Sequence, residues 1–464
     1  MCIENKLQLY YNKDCNNVYT VIVDIVESEN FMAKITINKL GPINFCELEI
    51  KDFMIFTGPQ ASGKSTISKS IFFFKNIKNL LLNQIDKRIF YNSNSIELTI
   101  KNRLIKEIRS CFLQTFGTTW CMDNDMSLEY CYANGVYIKI SLKSDPIKPN
   151  YIWIEFSEAL TKFIISYDEI KLEELKDKRN QDLIKEEISK FFDDDTEVIY
   201  IPAGRSMMTL LSSQLMFMYS VMNDDQKRSL DYCTQNYLER ILQIKSFFSN
   251  STELLIKDKI ELTDAKINRE NLLLCVDLMK QILHGEYRNV DGEERLQVAN
   301  DRYVKINFAS SGQQEAIWIL NVIFYYLLNN RKSYFIIEEP ESHLYPNAQK
   351  LITEIISLAK NDGNKILLTT HSPYILGTIN NLLYANRISK EVDVNKLGEI
   401  IHPYKWLDFK KISAYHIECG IQKSCLDADF EAIDNAVIDG ASEEINNDYE
   451  RMVELKSLQE MEED

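Results

Sequence analysis

The segment Gly58-Pro-Gln-Ala-Ser-Gly-Lys-Ser-Thr66 constrains this chain more than any other stretch. It fits the pattern Gly, four residues, Gly-Lys-Ser/Thr, in which a glycine-rich turn joins a strand to a helix and wraps an anion. The flanks agree: Asp52-Phe-Met-Ile-Phe-Thr57 is apolar and β-prone, and a helix-like run from Thr66 to Phe74 follows. Gly58 and Gly63 let the backbone fold tightly, so that successive N–H groups through Gln60, Ala61 and Ser62 point at one anion. Lys64 places a point charge on the β- and γ-phosphates, and Ser65 can ligate Mg²⁺. The helix opening at Thr66 adds the partial positive charge of its N-terminus. A chance glycine-rich turn does not bring the fixed positions and both flanks together. The loop implies a nucleoside triphosphate, ATP with Mg²⁺.

Three later segments narrow the chemistry. Tyr334-Phe-Ile-Ile-Glu-Glu-Pro-Glu341 reads as a buried strand ending in acidic residues. Glu338 would hold Mg²⁺ through water and Glu339 would polarise an attacking water. Acidic pairs beside apolar runs are common on surfaces, so this segment gains its meaning from its company. Lys365-Ile-Leu-Leu-Thr-Thr-His-Ser-Pro373 is a second buried strand, ending at His371, whose imidazole can reach a γ-phosphate or a catalytic water. A lone histidine is more often structural. Ser310-Ser-Gly-Gln-Gln-Glu315 ends 23 residues before Glu338 and opens an apolar helix from Ile317 to Leu328. Ser310, Ser311, Gly312 and Gln313 at a helix N-terminus make a second phosphate site, although serine before a helix is most often a plain N-cap.

In this order the segments resemble the ABC-type ATPase heads of the SMC, RecF and OLD-like lineage. They resemble most closely the stand-alone ATPase subunits of bacterial antiphage systems, such as AriA of PARIS and PtuA of Septu. Met32-Ala-Lys-Ile-Thr-Ile-Asn-Lys-Leu-Gly-Pro-Ile43 is similar to their opening strand and Gly-Pro turn, and Val198-Ile-Tyr-Ile-Pro-Ala-Gly-Arg205 to another shared segment. The resemblance covers about residues 32 to 75 and 300 to 420 and is loose between them. It implies an α/β P-loop NTPase fold with an ABC/SMC-type head: a mixed core sheet, an antiparallel sheet and a short helical insertion. It implies an ATPase that turns ATP and water into ADP and phosphate slowly, and only as a homodimer or an assembly of dimers. In such a dimer Ser311 and Gly312 complete the site of the opposite subunit.

By the same resemblance the protein would be a cytoplasmic sensor or scaffold in antiviral defence, controlling an effector encoded nearby. The alternatives are a RecF-like repair ATPase that clamps DNA and an ATP-gated scaffold with negligible turnover. Ser-Ser-Gly-Gln-Gln stands where Leu-Ser-Gly-Gly-Gln is usual, which argues against a transporter subunit. The lineage's Q-loop glutamine is either Gln84 or Gln114.

Composition bounds the rest. Hydrophobic residues at 45% and charged residues at 26% are ordinary for a globular protein. No apolar run approaches the ~18 residues of a membrane span, and the first residues lack a signal-peptide core. The ten cysteines are scattered without a C-x-x-C pair and read as reduced, largely buried thiols. His416, Cys419 and Cys425 make a poor zinc set, since structural zinc takes four ligands. Of the net charge of −16, most lies from Asp427 onward, where fourteen acidic residues oppose Arg451 and Lys456. The near-neutral remainder leaves room for a local basic groove and DNA. Asp427-x-Asp429 is polar in its surroundings and ends no apolar strand, so it reads poorly as a nuclease metal site.

The expected organisation has an N-terminal extension at 1–31, where Val18 to Val26 is β-like. That run either adds an edge strand or precedes a true start at Met32. The ATPase core takes 32–75 and 300–426, and an antiparallel sheet with a helical insertion takes 76–299. Strands are expected over Ile96 to Ile100, over Leu128 to Leu142 with a turn at Asn134-Gly135, and over Tyr151 to Phe156. Helices are expected from Ser157 to Phe191, broken near Ser166-Tyr167, and from Gln214 to Ser246, turning at Asp224-Asp225. Strand-like pieces run from Glu286 to Asn307 around Asp291-Gly292. About 30 residues of helix reach only about 45 Å, so the insertion is a short finger rather than a coiled-coil arm. The acidic segment 427–464 reads as an amphipathic helix carrying Ile445, Tyr449, Met452, Val453, Leu455 and Leu458.

Overall fold

The parallel core forms where the chain is apolar at consecutive positions. Phe53–Thr57 and Ser333–Glu338 are buried throughout, and Lys365–Thr369 and Glu197–Ile201 at every position but the first. Strands covered by helices on both faces need that pattern. The computed structural model describes residues 9–13, 19–23, 32–90, 99–143, 150–170, 175, 177–210, 221–223, 230–262, 267–434 and 446–453.

An eleven-stranded sheet organises the fold. In order across it run Tyr151–Phe156, Val136–Lys143, Ser127–Ala133, Lys34–Leu40, Ile43–Glu49, Ile421–Ser424, Ile412–Glu418, Phe53–Thr57, Lys365–Thr369, Ser333–Glu338 and Glu197–Ile201. From Ile412–Glu418 onward all neighbours are parallel. The first five strands are antiparallel. The antiparallel strands thus continue the core sheet instead of packing beside it, because Ile421 pairs with Phe45 and carries the hydrogen bonding across. One buried cluster fills the face under the helices Lys64–Phe90 and Ile100–Phe116. A second fills the opposite face under Ser311–Leu328, Pro346–Asn361 and Arg269–Leu283. The result is a mixed α/β P-loop fold in three layers.

The hairpin turns at Asn134-Gly135, with Ala133 opposite Val136, and Tyr151–Phe156 is a strand as expected. A smaller antiparallel sheet of Glu286–Val290, Glu293–Ala299 and Arg302–Lys305 turns first at Asp291-Gly292. Ile100 opens a helix instead of closing a strand: Thr99 accepts from Asn102 N, and Ile100, Leu104, Ile108 and Phe112 recur on one buried face. Residues 91–98 lie outside the described residues. The helix Glu158–Glu169 runs unbroken through Ser166 and Tyr167, because Tyr167 is buried and Ser166 Oγ donates to Phe163 O at 2.7 Å. The break falls at Ile170, which is extended. Helix continues at Lys178–Phe191 and Tyr232–Ile244, while the turn expected at Asp224-Asp225 lies outside the described residues. Thr252–Leu262 and Arg269–Leu283 are further helices.

Tyr19–Val23 pairs with Leu9–Lys13 in a two-stranded sheet of its own, not at the edge of the main sheet. Residues 446–453 are helical, with Tyr449, Met452 and Val453 exposed; Ile445, Leu455 and Leu458 lie outside the described residues. Cys46, Cys111, Cys233, Cys275 and Cys425 are buried, whereas Cys121 and Cys419 are exposed. Among the described residues no helix is long and apolar enough to cross a membrane.

Candidate functional site

The parallel strands end at one edge, where ligands bind in open α/β sheets. Thr57 runs there into the phosphate loop, Ile201 into 202–205, Glu338 into 339–341 and Thr369 into 370–371. Gly58 and Gly63 stand at φ +135° and +109°, a region that strains any side chain. A Cβ would lie 2.2 Å from Ile417 O at Gly58 and 2.2 Å from Ile43 Cδ1 at Gly63. The loop is therefore wedged between the opening Gly-Pro turn and the end of the Ile412–Glu418 strand. Ala61 shares the left-handed backbone at φ +58°. Gln60, Ala61 and Ser65 are exposed, Ser62 is buried and Thr66 is half-buried.

Lys64 begins the helix and is nearly buried. Its ammonium donates to Gly58 O at 2.9 Å, Pro59 O at 2.7 Å and Ser62 Oγ at 3.4 Å. Burial pulls its pKa below the usual lysine range, while the Glu339, Glu341 and Glu338 carboxylates oppose that shift. Those carboxylates consequently share one neighbourhood with the phosphate loop. Glu338 is buried, and its Oε2 accepts from Ala203 N at 3.3 Å, while Oε1 is buried with no hydrogen bond of normal geometry, the Tyr200 hydroxyl lying close enough to feel the carboxylate. Such an oxygen is costly unless something satisfies it. Together with the Ser65 hydroxyl it suits Mg²⁺, a hard cation that keeps several waters and takes one or two protein oxygens. Among the described residues no group of three or more His, Cys, Asp or Glu forms a metal cage by itself.

Glu339 adopts φ +42°, and its N–H donates to Thr369 O at 3.0 Å. Its carboxylate, about a third exposed, lies 3.5 Å from His371 Nε2 through Oε1 and accepts from Ser342 Oγ at 3.3 Å through Oε2. Glu341 was not singled out from the sequence, yet it sets the histidine: its Oε1 accepts from Thr370 Oγ1 at 2.8 Å and from His371 N at 2.6 Å. Burial raises the Glu341 pKa. The sequence contains it in Glu-Glu-Pro-Glu, but only the fold brings it to residue 371.

Burial and then Lys64 lower the His371 pKa, with Glu339 pulling the other way. A histidine depressed in the fold stays neutral above its unfolded value and loses that advantage as pH falls through the lower folded value. The histidine limb of the pH–rate profile is therefore expected below about 6.5, the ordinary histidine value. A limb at or above that value, abolished by His371→Gln, would show that the site holds an imidazolium.

Ser310 and Gln313 form a full capping box on the helix Ser311–Leu328. Gln313 Nε2 also donates to Leu283 O at 2.6 Å, so this side chain is committed within the chain. Ser311 is exposed. Gly312 faces the turn after Glu339, where a Cβ would meet His343 O at 2.6 Å. Among the described residues no hydrogen bond or ion pair joins 310–313 to the phosphate loop. Gln84 and Gln114 stand on the helices Lys64–Phe90 and Ile100–Phe116. Gln84 lies about 30 Å along the helix from Lys64, and Gln114 Nε2 donates to Leu230 O at 2.8 Å and Gln235 Oε1 at 2.7 Å. The strand beside Glu338 ends instead in the Ala203 N–H and in Arg205, a wholly buried side chain that sequence reasoning did not assign. Asp427 Oδ1 accepts from Asp429 N at 2.9 Å and Phe430 N at 3.1 Å, making a local turn of the Asp-x-Asp.

Among solved structures the chain is similar to an SMC head bound to the C-terminal winged-helix domain of ScpA, at 11% identity and TM-score 0.39, over 85% of this chain and 97% of that one. It is similar also to the Pyrococcus furiosus Smc head with an extended coiled coil bound to the C-terminal domain of ScpA, at 12% identity and TM-score 0.37, over 85% and 95%. The SMC head from Thermotoga maritima matches at 10% identity and TM-score 0.34, over 85% and 97%. At such values the likeness says nothing of function. No curated protein sequence matches. A family model described as AAA ATPase domain matches residues 32–376, from the opening strand through the phosphate loop and both later strand ends. Matched over well more than half its length, the chain belongs to the AAA ATPase domain family.

Proposed function

We propose that the chain hydrolyses ATP as a homodimer, or an assembly of dimers, in which 310–313 of one copy complete the phosphate loop of the other. The exposure of Ser311, with no hydrogen bond or ion pair among the described residues joining 310–313 to the phosphate loop of the same chain, carries this reading. Ser311 lies in solvent; Phe308, three residues before it, and Tyr345, two residues after the His343 that Gly312 faces, are each 79% exposed, apolar surface that a second copy can cover. In the mechanism, the loop N–H groups and Lys64 hold the phosphates and offset their charge. Glu339 accepts the proton of the attacking water, and neutral His371 beside it orients that water or the γ-phosphate. Ser65 and Glu338 would hold Mg²⁺, which when bound offsets charge on the β- and γ-oxygens.

Mixing two inactive proteins tests the shared site. Ser311→Arg and Lys64→Ala, each inactive alone, are expected to recover part of the wild-type rate together. One interface of the mixed dimer then keeps an intact phosphate loop facing an intact Ser311. No recovery in confirmed mixed dimers would place the whole site within one chain.

The motif resemblance supports a cytoplasmic sensor or scaffold of an antiphage system whose destructive chemistry sits in a separately encoded effector. The use of Asp427 in a local turn supports the effector's being another protein. Purified with ATP and Mg²⁺ or Mn²⁺, the chain is expected to leave DNA and RNA intact and to co-purify with the product of a neighbouring gene. Cleavage lost on Asp427→Ala would overturn this. One feature favours the DNA-clamping alternative: Arg288, Arg295 and Lys305 align across the small sheet that leads into Ser310. Glu286 pairs with Arg288, however, and Glu293 with Lys305, which removes most of the stripe's net charge.

A further inference from the structure

We infer that Arg205 is a positioning residue that ties the orientation of Glu339 to the state of the Ser311 segment in the same chain, so that each nucleotide site of a dimer reads the other. This rests on the dimer reading above.

The guanidinium, 0% exposed, grips the acidic strand end from one side and the Ser311 helix from the other. Nη1 donates to Glu338 O at 2.7 Å and Pro202 O at 2.5 Å, and Nη2 to Glu339 O at 2.9 Å. Glu338 O and Glu339 O belong to the peptide planes on either side of the Glu339 Cα. Between those planes lie only the two soft backbone angles of Glu339. Holding both planes fixes those angles, including the left-handed φ of +42°, and so sets the direction in which the Glu339 side chain leaves the backbone. A non-glycine residue keeps such a backbone only where its surroundings over-determine it.

The other side of the grip is Glu315. Arg205 Nε donates to Glu315 O at 3.1 Å and lies 3.2 Å from Glu315 Oε2. The Glu315 carboxylate answers by accepting from Arg205 N at 3.0 Å and Ser206 N at 2.9 Å. Glu315 stands about one helical turn beyond Ser311, within a helix that starts at Ser311. Displacement of Ser311 by a phosphate therefore travels along a stiff rod to Glu315. The contacts are buried, so water cannot replace them and absorb the movement. Gly312 against His343 O gives a second, shorter path to the same turn. Ser311 of one copy meets the nucleotide of the other, whereas Glu339 serves the nucleotide of its own copy. Occupancy of one site thus sets the carboxylate of its neighbour.

The test uses Arg205→Lys, which keeps the charge but cannot span four acceptors, and Glu315→Gln, which is nearly isosteric. Both are expected to keep ATP affinity and ATP-driven association within about threefold, while kcat falls by about tenfold or more, as misplacement of a reacting group does. The ATP dependence of the rate should also lose its cooperativity. A folded variant with wild-type kcat and cooperativity would overturn the proposal. So would a loss of kcat matched by equal losses of ATP affinity and melting temperature, the mark of a merely structural pair. Should Arg205→Lys not fold, Glu315→Gln decides on the same readouts. The wild-type rate per molecule, followed against protein concentration, judges the dimer separately. A flat dependence removes the dimer, whereas unchanged variants of a concentration-dependent enzyme remove the coupling.

Discussion

Glu339→Gln is expected to bind ATP as the wild type does and to hydrolyse it about 100-fold more slowly or worse, the usual cost of losing a general base. The amide occupies nearly the same volume as the carboxylate and can still meet Ser342 and His371, so the site's shape persists. It cannot take the proton that an attacking water must lose. With binding intact and turnover blocked, the variant should accumulate in the ATP-bound dimer, visible by size-exclusion chromatography. Glu338→Gln should behave differently. Its carboxylate is buried, with one oxygen held by Ala203 N and the other without a hydrogen bond of normal geometry, and it does not touch His371. Replacing it should weaken Mg²⁺-dependent ATP binding first. If Glu338→Gln instead binds Mg-ATP normally and fails only in turnover, the two roles are exchanged.

The division between what could be read in the sequence and what could not follows the range of the interactions. The phosphate loop was legible because its pattern is a local backbone requirement: two glycines in strained conformations, a lysine and a helix start, all within one turn of chain. The buried strands were legible for the same reason, as continuous apolar runs bounded by polar loops. Ile100 escapes a local reading because Ile96-Glu-Leu-Thr-Ile100, with four apolar or β-branched residues out of five, cannot tell a strand from a helix start. The recurrence through Leu104, Ile108 and Phe112 decides it. The break expected at Ser166-Tyr167 came from local propensity, which burial of Tyr167 overrides. Arg205 and Glu315 were out of reach for another reason. They meet across 110 positions, and nothing in a single sequence says which buried arginine pairs with which helix glutamate. Glu341 stood in plain view, but its bond to residue 371 exists only once two strands lie side by side.

Lys64→Ala is expected to remove nucleotide binding while leaving the fold intact. The ammonium of this buried side chain is spent on its own loop. Its hydrogen bonds go to Gly58 O, Pro59 O and Ser62 Oγ of its own loop, and Gly58 and Pro59 reach solvent. Water can satisfy those carbonyls after truncation, and the wedging of Gly58 and Gly63 against Ile417 and Ile43 does not depend on the lysine. What disappears is the charge. Hydrogen bonds to charged groups contribute about 1.5–3 kcal/mol each. Losing two from Lys64 to phosphate oxygens would weaken binding by about 100-fold or more. The three carboxylates around Lys64 make the loss worse, since without the ammonium they repel a phosphate instead of being neutralised. Equilibrium binding of ATP and the thermal midpoint of the apo protein measure the two halves of this expectation separately. Unchanged affinity would sink the phosphate role of Lys64, and a collapsed midpoint would make the lysine part of the loop's own framework.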